Sequence, residues 1–505
     1  MALTQTALNN RLQTSQTNLS RMLRRAVRAH EDGAFDKAQR LYVALLHHDP
    51  KNFDVLHLLG LLYHQRGALD LALRHYDDAL KIIPGDLEVL NKRGIALLES
   101  GRAPAALANF DQMLACDADH VDALGNRGNA LLKLNRAQEA LASYDTALRV
   151  APRHPRLLTN RAHALRRLDR PQEALMSASS ALAADANFAE AHFEESLARL
   201  TLGDFGAGWR AYESRWATAA FAAQRRNFDQ PLWLGDRSAS DQTILLHAEQ
   251  GFGDTLQFIR YAPHVAARGA KVIAEVQPEV ARLISGMHGI HTVVPRGQKL
   301  PRFDLHCPLL SLPLACGTQS TTIPADIPYI APDPIDVAAW RARLPAHKLR
   351  VGLTWAGCTS HKNDLNRSVR LAVLAPLLDL PNVLIVSLQH DVDARDAAVL
   401  RASPQVFQAA EPFRDFADTA ALISLLDLVI SVDTAVAHVA GALGKPLWLL
   451  LPFAADFRWL RERHDTPWYP TARLFRQQQF EDWSGVIDQV RVSLQSLSQP
   501  VRKHC

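Results

Sequence analysis

Residues 53–84, FDVLHLLGLLYHQRGALDLALRHYDDALKIIP, determine the fold of the first part of this chain, because their landmarks return every 34 residues. Residues 121–152, VDALGNRGNALLKLNRAQEALASYDTALRVAP, repeat a small residue, an aromatic residue and a proline at the same positions: Gly60 and Gly128, Tyr76 and Tyr144, Pro84 and Pro152. Such a period indicates a solenoid in which each unit stacks on the next.

Each unit is predicted to be a pair of antiparallel helices, with small residues where the backbones approach and aromatic residues between neighbours. The pattern resembles the tetratricopeptide repeat, and six units fit into residues 19–218. The last unit departs from the pattern, because Gly208 replaces the usual alanine and residues 203–216, GDFGAGWRAYESRW, are rich in aromatic and charged side chains. We therefore expect this unit to be a cap that packs on whatever follows it.

The composition excludes two classes of protein. Lysine and arginine number 56 against 52 acidic residues, a formal charge of +4, which excludes a strongly basic nucleic-acid binder. Hydrophobic residues make up 48% and charged residues 21%, which excludes disorder over the whole length. The first residues lack the pattern of an export signal, and no apolar run approaches the ~20 residues of a membrane span, so a cytoplasmic location is expected.

The first helices of the repeats contain two sets of polar residues at equivalent positions. Asn126 and Asn160 lie 34 residues apart, and so do Arg93, Arg127 and Arg161. The asparagines resemble the ladder with which nucleocytoplasmic O-GlcNAc transferases hold a peptide backbone, and this implies peptide binding at Asn126 and Asn160. A solvated helix face, with arginine stems covering apolar surface, is the alternative.

From about residue 242 onward, short β-rich runs alternate with amphipathic helices, the pattern of a parallel sheet with helical crossovers. The predicted fold class is multidomain: an all-α solenoid, then an α/β pair of Rossmann-like halves. The expected segments are a tail (1–18), six repeats (19–218), a linker (219–241), a first half (242–344) and a second half (345–500). Ligands are expected between the halves, at the carboxyl ends of the strands.

The first loop at such an end is Gly251-Phe252-Gly253-Asp254, between a predicted strand and a helix running to about residue 268. Gly251 and Gly253 permit a tight turn close to an acceptor, and Asp254 lies at the start of the helix. A carboxylate there is either a general base that removes a proton from an acceptor hydroxyl or a helix cap.

The second loop, residues 355–371, is WAGCTSHKNDLNRSVRL and follows the strand that opens the second half. Gly357 permits close approach of the backbone to a ligand, and Lys362, Arg367 and Ser368 supply hydrogen-bond donors for an anionic group. Arg367 and the stretch that begins with Trp355 are the preferred candidates. A solvated loop is the alternative.

The third loop lies in residues 431–446, SVDTAVAHVAGALGKP, where an apolar strand runs into Asp433 and a helix follows at once. Thr434 and His438 are four residues apart and therefore share one face of the helix. The free N–H groups and the dipole of the helix start suit a leaving diphosphate. The alternative for His438 is a purely structural histidine.

Together these loops resemble the family 9 glycosyltransferases, the heptosyltransferase group with a GT-B fold, over about residues 242–497. The most specific part is D-[ST]-x-x-x-H, at Asp433, Thr434 and His438. The resemblance implies that Asp254 is the catalytic base and that Asp433–His438 lies beside the nucleotide diphosphate of the donor. Family members usually have glycine where this chain has Ala435. The combination with repeats is similar to bacterial tetratricopeptide proteins that contain a glycosyltransferase domain.

These features predict a glycosyltransferase that moves a sugar from a nucleotide-sugar donor to an acceptor hydroxyl, on a protein recruited by the repeats. No cofactor or metal is expected, since Asp391-Val392-Asp393 opens a helix; a metal site at that pair is the alternative. Two other classes stay open. One is a non-catalytic interaction scaffold with a degenerate GT-B domain, for which Ala435 is the hint. The other is a nucleotide-sugar epimerase with a similar fold.

Overall fold

The structure is a computed structural model that describes residues 18–346, 349–359, 361, 363–409 and 413–498. The described chain forms two compact units. One consists of the residues up to Leu165 together with Ala183–Ala186, and the other of Arg166–Leu182 together with the residues from Asn187 onward. The segment boundaries predicted from the sequence stay predictions.

The first unit is a series of helices of nearly equal length. They are α1 (18–31), α2 (Phe35–His48), α3 (Phe53–Gln65), α4 (Leu69–Ile82), α5 (Leu87–Glu99), α6 (Ala103–Cys116), α7 (Val121–Lys133), α8 (Ala137–Val150) and α9 (Pro155–Arg167), the last of which continues into the second unit. The side-chain oxygens of Asn52 and Asp86 accept hydrogen bonds from the N–H groups three residues further along the chain, at 3.1 and 2.9 Å. These bonds cap the N-termini of α3 and α5. The all-α part of the predicted fold class is confirmed.

The repeated glycines of the first unit mark the closest helix contacts. A Cβ atom added at Gly60 or Gly128 would lie less than 3.0 Å from ring carbons of Tyr76 or Tyr144, and both rings are completely buried. The aromatic landmark therefore packs on the glycine landmark of the same repeat. A side chain at the glycine position would overfill that contact.

The second unit begins with three more repeat helices and continues as an α/β structure. Its helices are α10 (Pro171–Ala184), α11 (Ala189–Thr201), α12 (Phe205–Tyr212), α13 (Phe252–Phe258), α14 (Ala262–Ala266), α15 (Pro278–Ile284), α16 (Leu312–Ala315), α17 (Pro334–Arg343), α18 (Asp364–Arg367), α19 (Ala375–Leu378), α20 (Ala394–Arg401), α21 (Phe416–Ser424), α22 (Ala435–Ala442) and α23 (Ser484–Ser498), with short 3-10 turns at Glu213–Ala217, Ala222–Gln224, Ile259–Tyr261, Leu309–Ser311, Leu371–Leu374 and Phe457–Trp459.

Its strands form two parallel sheets, one in each half of the α/β part. They are β1 (Thr243–His247), β2 (Lys271–Val276), β3 (Thr292–Pro295), β4 (Leu305–Pro308), β5 (Leu349–Thr354), β6 (Val383–Ser387), β7 (Phe407–Gln408), β8 (Leu428–Val432), β9 (Leu447–Leu451) and β10 (Ala472–Arg476). The first half has the order β3-β2-β1-β4 and the second half β10-β9-β8-β5-β6-β7. The predicted pair of Rossmann-like halves is confirmed.

Two local expectations were wrong. The helix expected to run from the first loop to about residue 268 is broken into α13, a 3-10 turn and α14, with Pro263 at the start of α14. Proline lacks the N–H that a continuous helix needs, so the chain bends there. Strand β10 was not predicted, because its five residues, ARLFR, form a short run that is interrupted by arginines. It pairs with β9 at the edge of the second sheet.

The last repeat packs as the predicted cap. Phe205 and Trp209 of α12 belong to the same buried cluster as Leu246 of β1 and Trp468. Beneath them Arg215 is fully buried, and its Nε and Nη2 donate to the Glu249 carboxylate at 2.9 and 3.0 Å. The end of the repeat series is thus part of the hydrophobic core of the α/β part. Within the described ranges, no helix is both long enough and apolar enough to cross a bilayer.

Candidate functional site

Four loops of the second unit follow the carboxyl ends of strands. One comes after β1 in the first sheet, and three come after β5, β8 and β9, which are neighbours in the second sheet. The loops contain Gly251–Asp254, the stretch from Trp355, Asp433–Thr434 and the turn at Phe457–Trp459. Ligand sites of open parallel sheets lie at the carboxyl ends of the strands. The first three loops were predicted from the sequence, whereas Asp456 and Arg458 of the fourth were not singled out.

Asp254 lies in the first turn of α13, whose N-cap residue is Gly251. Its Oδ2 accepts from the N–H of Gly251 at 2.9 Å, which is the bond that an acidic residue at this position makes in a capping box. Its Oδ1 accepts from Nη2 of Arg458, and the Asp254 side chain is 20% exposed. The Asp254 carboxylate thus bonds to the start of α13, although the N-cap residue itself is Gly251. The role of general base stays a prediction.

Arg458 lies in the candidate site and was not singled out from the sequence. Its three nitrogens donate to Asp254, to Asp456 at 2.8 Å and to the Gln257 side chain at 2.7 Å. The residue is only 8% exposed, and burial opposed by the nearby Asp456 and Asp254 carboxylates leaves its pKa raised. It is consequently charged at any pH at which the protein is folded.

The first and third loops are in contact. A Cβ atom added at Gly253 would lie 2.8 Å from Cδ2 of His438, so the backbone of the first loop rests against the imidazole. His438 Nδ1 is 2.9 Å from the hydroxyl of Tyr469, and its ring stacks on Trp459 with centroids 5.6 Å apart. Burial, followed by the nearby Arg458 cation, lowers the pKa of His438 well below its usual value. The imidazole is therefore neutral at pH 7.

Asp433 and Thr434 stand immediately before α22. Thr434 precedes the first residue of the helix and makes no capping bond with its side chain; its hydroxyl is 3.2 Å from that of Ser431. Asp433 Oδ1 is 4.0 Å from Nε2 of His438. Burial, followed by the nearby Asp456 carboxylate, raises the pKa of Asp433 to about 6. A group with this pKa changes charge close to neutral pH.

The second loop is tied to the third through Arg367. Arg367 Nη1 donates to the backbone carbonyl of Asp433 at 2.9 Å, and its side chain is 14% exposed. Its guanidinium lies directly over Gly357, where an added Cβ would collide with it. Ser368 Oγ accepts from the N–H of Gly357 at 2.9 Å and donates to Asp364. Gly357, Arg367 and Ser368 thus form one connected group.

One of the predicted donor-binding residues, Trp355, is placed differently from the prediction. The indole of Trp355 is 1% exposed, belongs to the apolar core of the second half and donates from Nε1 to Asp396 at 2.8 Å. Its side chain therefore does not face the other site residues. Lys362 lies outside the described residues. Asp393 is a helix cap, because it accepts from the N–H groups of Arg395 and Asp396 at 2.9 and 2.8 Å.

In the first unit, the two predicted asparagines belong to a row of amides. Asn126 donates to Asn91 at 2.8 Å, and Asn160 donates to Asn129 at 3.0 Å, which in turn lies 3.5 Å from Asn126. All four side chains are partly buried, and each still has amide groups that these bonds do not use. The row connects the first helices of successive repeats.

The arginine set of the same helices is engaged in ion pairs. Arg93, Arg127 and Arg161 donate from Nε to acids on the preceding helix, 16 residues earlier, at 2.6–2.7 Å. The acids are about half exposed. These pairs fit the alternative of a solvated helix face for the arginines.

The structure also contains functional candidates that the sequence analysis missed. Asp456 and Arg458 follow β9 at the same edge as the other loops, so their position after an apolar strand was a usable signal. Searching the part of the chain that the structure describes, we find no cluster of three or more histidine, cysteine or acidic residues suited to a metal ion.

Fold and site define the class as a helical-repeat chain joined to a GT-B-like α/β structure. Residues 23–86 and 91–156 match the tetratricopeptide repeat model, and residues 386–450 match the model of glycosyltransferase family 9 (heptosyltransferase). The second match includes Asp433, Thr434 and His438. Both predicted resemblances are confirmed.

A curated relative matches part of this chain at low identity. The protein FlbA from Caulobacter vibrioides is 26% identical over 338 residues, which is 62% of this chain and 56% of FlbA. This chain thus spans little more than half of the curated relative it matches.

Among solved structures, a tetratricopeptide repeat protein from Parabacteroides merdae is 18% identical over 40% of this chain and 80% of its own, with a TM-score of 0.37. PilW, a type IV pilus biogenesis factor, is 20% identical over 40% and 94%, also with a TM-score of 0.37. The MamA protein is 20% identical over 34% and 94%, with a TM-score of 0.32.

Proposed function

We propose that this protein transfers a sugar from a nucleotide-sugar donor to an acceptor hydroxyl. The observation behind the proposal is the contact between the first and third loops. Gly253 rests on His438, so the loop after β1 that carries Asp254 contacts α22, which follows β8 in the second half. A base from one half and an anion site from the other are the two groups that such a transfer needs.

The donor diphosphate is assigned to the start of α22. The first N–H groups of that helix point away from its body, and the helix dipole favours a negative ligand there. Arg367 adds a fixed cation, because its guanidinium is held by the Asp433 carbonyl and the Asp364 carboxylate. These groups stabilise the charge of the departing nucleotide diphosphate. We propose that they do so without a metal ion.

Asp254 is assigned the role of base. As the acceptor oxygen attacks the anomeric carbon, the bond from that carbon to the phosphate oxygen breaks, and the hydroxyl proton moves to Asp254. Each carboxylate oxygen has two lone pairs, so the bonds from Gly251 and Arg458 leave acceptor capacity on both oxygens. His438 is neutral and buried, and its role is to shape the diphosphate site rather than to move the proton.

The repeats are assigned the recruitment of the acceptor. Tetratricopeptide repeats are protein-binding scaffolds, and the amides of Asn126 and Asn160 are suited to hydrogen bonds with a peptide backbone. We propose a protein or peptide acceptor on this face of the first unit, and a cytoplasmic location remains part of the proposal. FlbA and the family match support the transferase; they do not identify sugar, nucleotide or acceptor.

The test is a calorimetric and thermal-shift panel of nucleoside diphosphates and nucleotide-sugars. We expect one base to bind selectively and to raise Tm. His438→Ala should weaken that binding at least ~10-fold, whereas His390→Ala, at an exposed site, should leave it unchanged. Asp254→Asn should retain binding and lose transfer.

Two results would contradict the proposal. Absence of nucleotide binding at millimolar concentration favours the scaffold, and peptide capture by the repeats becomes the next experiment. Conversion of the donor to an isomer without any acceptor favours the epimerase. Circular dichroism melting of each variant separates a lost site from a lost fold.

A further inference from the structure

Arg458 joins the two halves at the candidate site. The residue lies in the turn after β9, in the second half, while Asp254 and Gln257 lie on α13 in the first half. The ion pair with Asp254 connects positions 204 residues apart, and the bond to Gln257 connects positions 201 residues apart. A change in this one side chain therefore acts on the candidate base from the opposite half.

Three hydrogen bonds, one from each nitrogen, hold the guanidinium of Arg458 in place. Nε is used by Gln257, Nη1 by Asp456 and Nη2 by Asp254. The charged group also lies over the rings of Phe457 and Phe258, at 4.6 and 5.5 Å from their centroids. Every nitrogen of Arg458 thus has a protein partner. A side chain held in this way is suited to position a neighbour rather than to take up a ligand.

The last repeat packs against the turn that contains Arg458. Trp209 of α12 packs edge-on against Phe457 and Phe258, with centroids 5.6 and 5.8 Å apart. Arg461, which lies three residues after Arg458, pairs at 3.1 Å with Asp169, between α9 and α10. All of these residues belong to the second unit. The position of Arg458 consequently depends on residues of the repeat series as well as on the α/β part.

We propose that Arg458 is a positioning residue for Asp254, set in place by the last repeat; this rests on the proposed function. The Gly251 N–H holds one carboxylate oxygen and Arg458 holds the other, so the plane of the carboxylate cannot rotate. The remaining lone pairs keep one direction, and an acceptor hydroxyl meets a base that is already oriented. Preorganisation of this kind affects the chemical step rather than the binding of the donor.

The test compares Arg458→Met and Arg458→Lys with Arg463→Met in the full chain. Arg463 lies in the same segment but pairs only with the exposed Asp465, so it is the matched control. The readouts are the rate of nucleotide diphosphate release from the nucleotide-sugar that the wild type uses, and calorimetric binding of the corresponding nucleoside diphosphate. We expect Arg458→Met to lower kcat about 100-fold with KM for the donor changed less than about threefold.

Arg458→Lys should recover part of the rate, because it keeps the charge and one donor. It also replaces the methionine variant if the latter does not fold. Loss of donor binding in parallel with kcat would overturn the proposal, since Arg458 would then be a diphosphate ligand. Wild-type rates in both variants would overturn it as well.

Asp254→Asn distinguishes failure of the positioning role of Arg458 from failure of the proposed function. If it is inactive while both Arg458 variants are active, the positioning role alone is wrong. If it is as active as the wild type, or if the wild type uses no donor, the proposed function fails and the role of Arg458 fails with it.

Discussion

Two sets of ion pairs, one in the repeats of the first unit and one in the core of the second, differ in range and in burial. In the repeats, Arg93, Arg127 and Arg161 each pair with an acid 16 residues earlier, and the acids are about half exposed. In the second unit, Arg215 and Glu249 are 0% and 1% exposed, and Arg458 reaches an acid 204 residues away. The first group is local and repeated, and the second is long-range and single.

This difference separates two uses of charge. An exposed ion pair adds little to the free energy of unfolding, because water and salt screen the charges and two long side chains lose conformational freedom. A buried ion pair also adds little, but removing one partner leaves an unpaired charge in the core. The repeats should therefore tolerate loss of any one of these three pairs. The buried pairs of Arg215 and Arg458 should not be lost without cost, and they lie where the candidate site and the last repeat meet the core.

The largest expected effect is the removal of Arg215. Arg215→Met should lower the free energy of unfolding by about 3–5 kcal/mol, because Glu249 is left charged and buried. The matched change Arg127→Met should cost less than about 1 kcal/mol. All nine tryptophans lie at or beyond Trp209, so their fluorescence in urea reports on the second unit, whereas circular dichroism at 222 nm follows the helices of both units. Equal costs for the two variants would refute the comparison.

The next effect depends on pH and on Asp433. Its pKa of about 6 exceeds that of an unfolded aspartate, so the ionised form is destabilising and the penalty is fully present above pH 6. The penalty disappears as the pH falls through 6 towards 4. Asp433→Asn should therefore be more stable than the wild type by up to about 3 kcal/mol at pH 7.5 and about equal to it at pH 4. Urea unfolding at both values measures this.

The control for that experiment is Asp391→Asn, because the Asp391 side chain is 94% exposed. Its stability relative to the wild type should not change between the two pH values. If Asp433→Asn and the wild type differ in free energy of unfolding by the same amount at both pH values, the ionised form of Asp433 does not destabilise the folded protein.

The smallest expected effect concerns the packing of the repeats. Gly128→Ala should cost about 1–3 kcal/mol, because the new methyl group would overlap the buried ring of Tyr144. Gly85→Ala, where an added Cβ meets nothing within 4 Å, should be neutral or slightly stabilising. Thermal melting at 222 nm compares the two. A tolerated Gly128→Ala would mean that the aromatic landmark can move aside.

Much of the site was predictable, and the limits have a physical cause. Gly357, Arg367, Asp433 and His438 came together as expected, because β5 and β8 are neighbours whose carboxyl ends lie at one edge of the second sheet. Gly253 reaches His438 from the first half. Trp355 was expected near a ligand but lies in the core, since an aromatic residue after a strand has the same sequence signal whichever side it faces. The direction of a side chain depends on its neighbours in space.

The sequence by itself determined the repeat architecture, the alternation of strands and helices, and the three loops that hold Asp254, Arg367 and His438. These follow from periods and from residues adjacent along the chain, so local physics is sufficient. Only the tertiary structure placed Arg458 against Asp254 and buried Arg215 with Glu249. Such pairs form when the packing of apolar side chains brings distant segments together, and no spacing along the chain records which charges then meet.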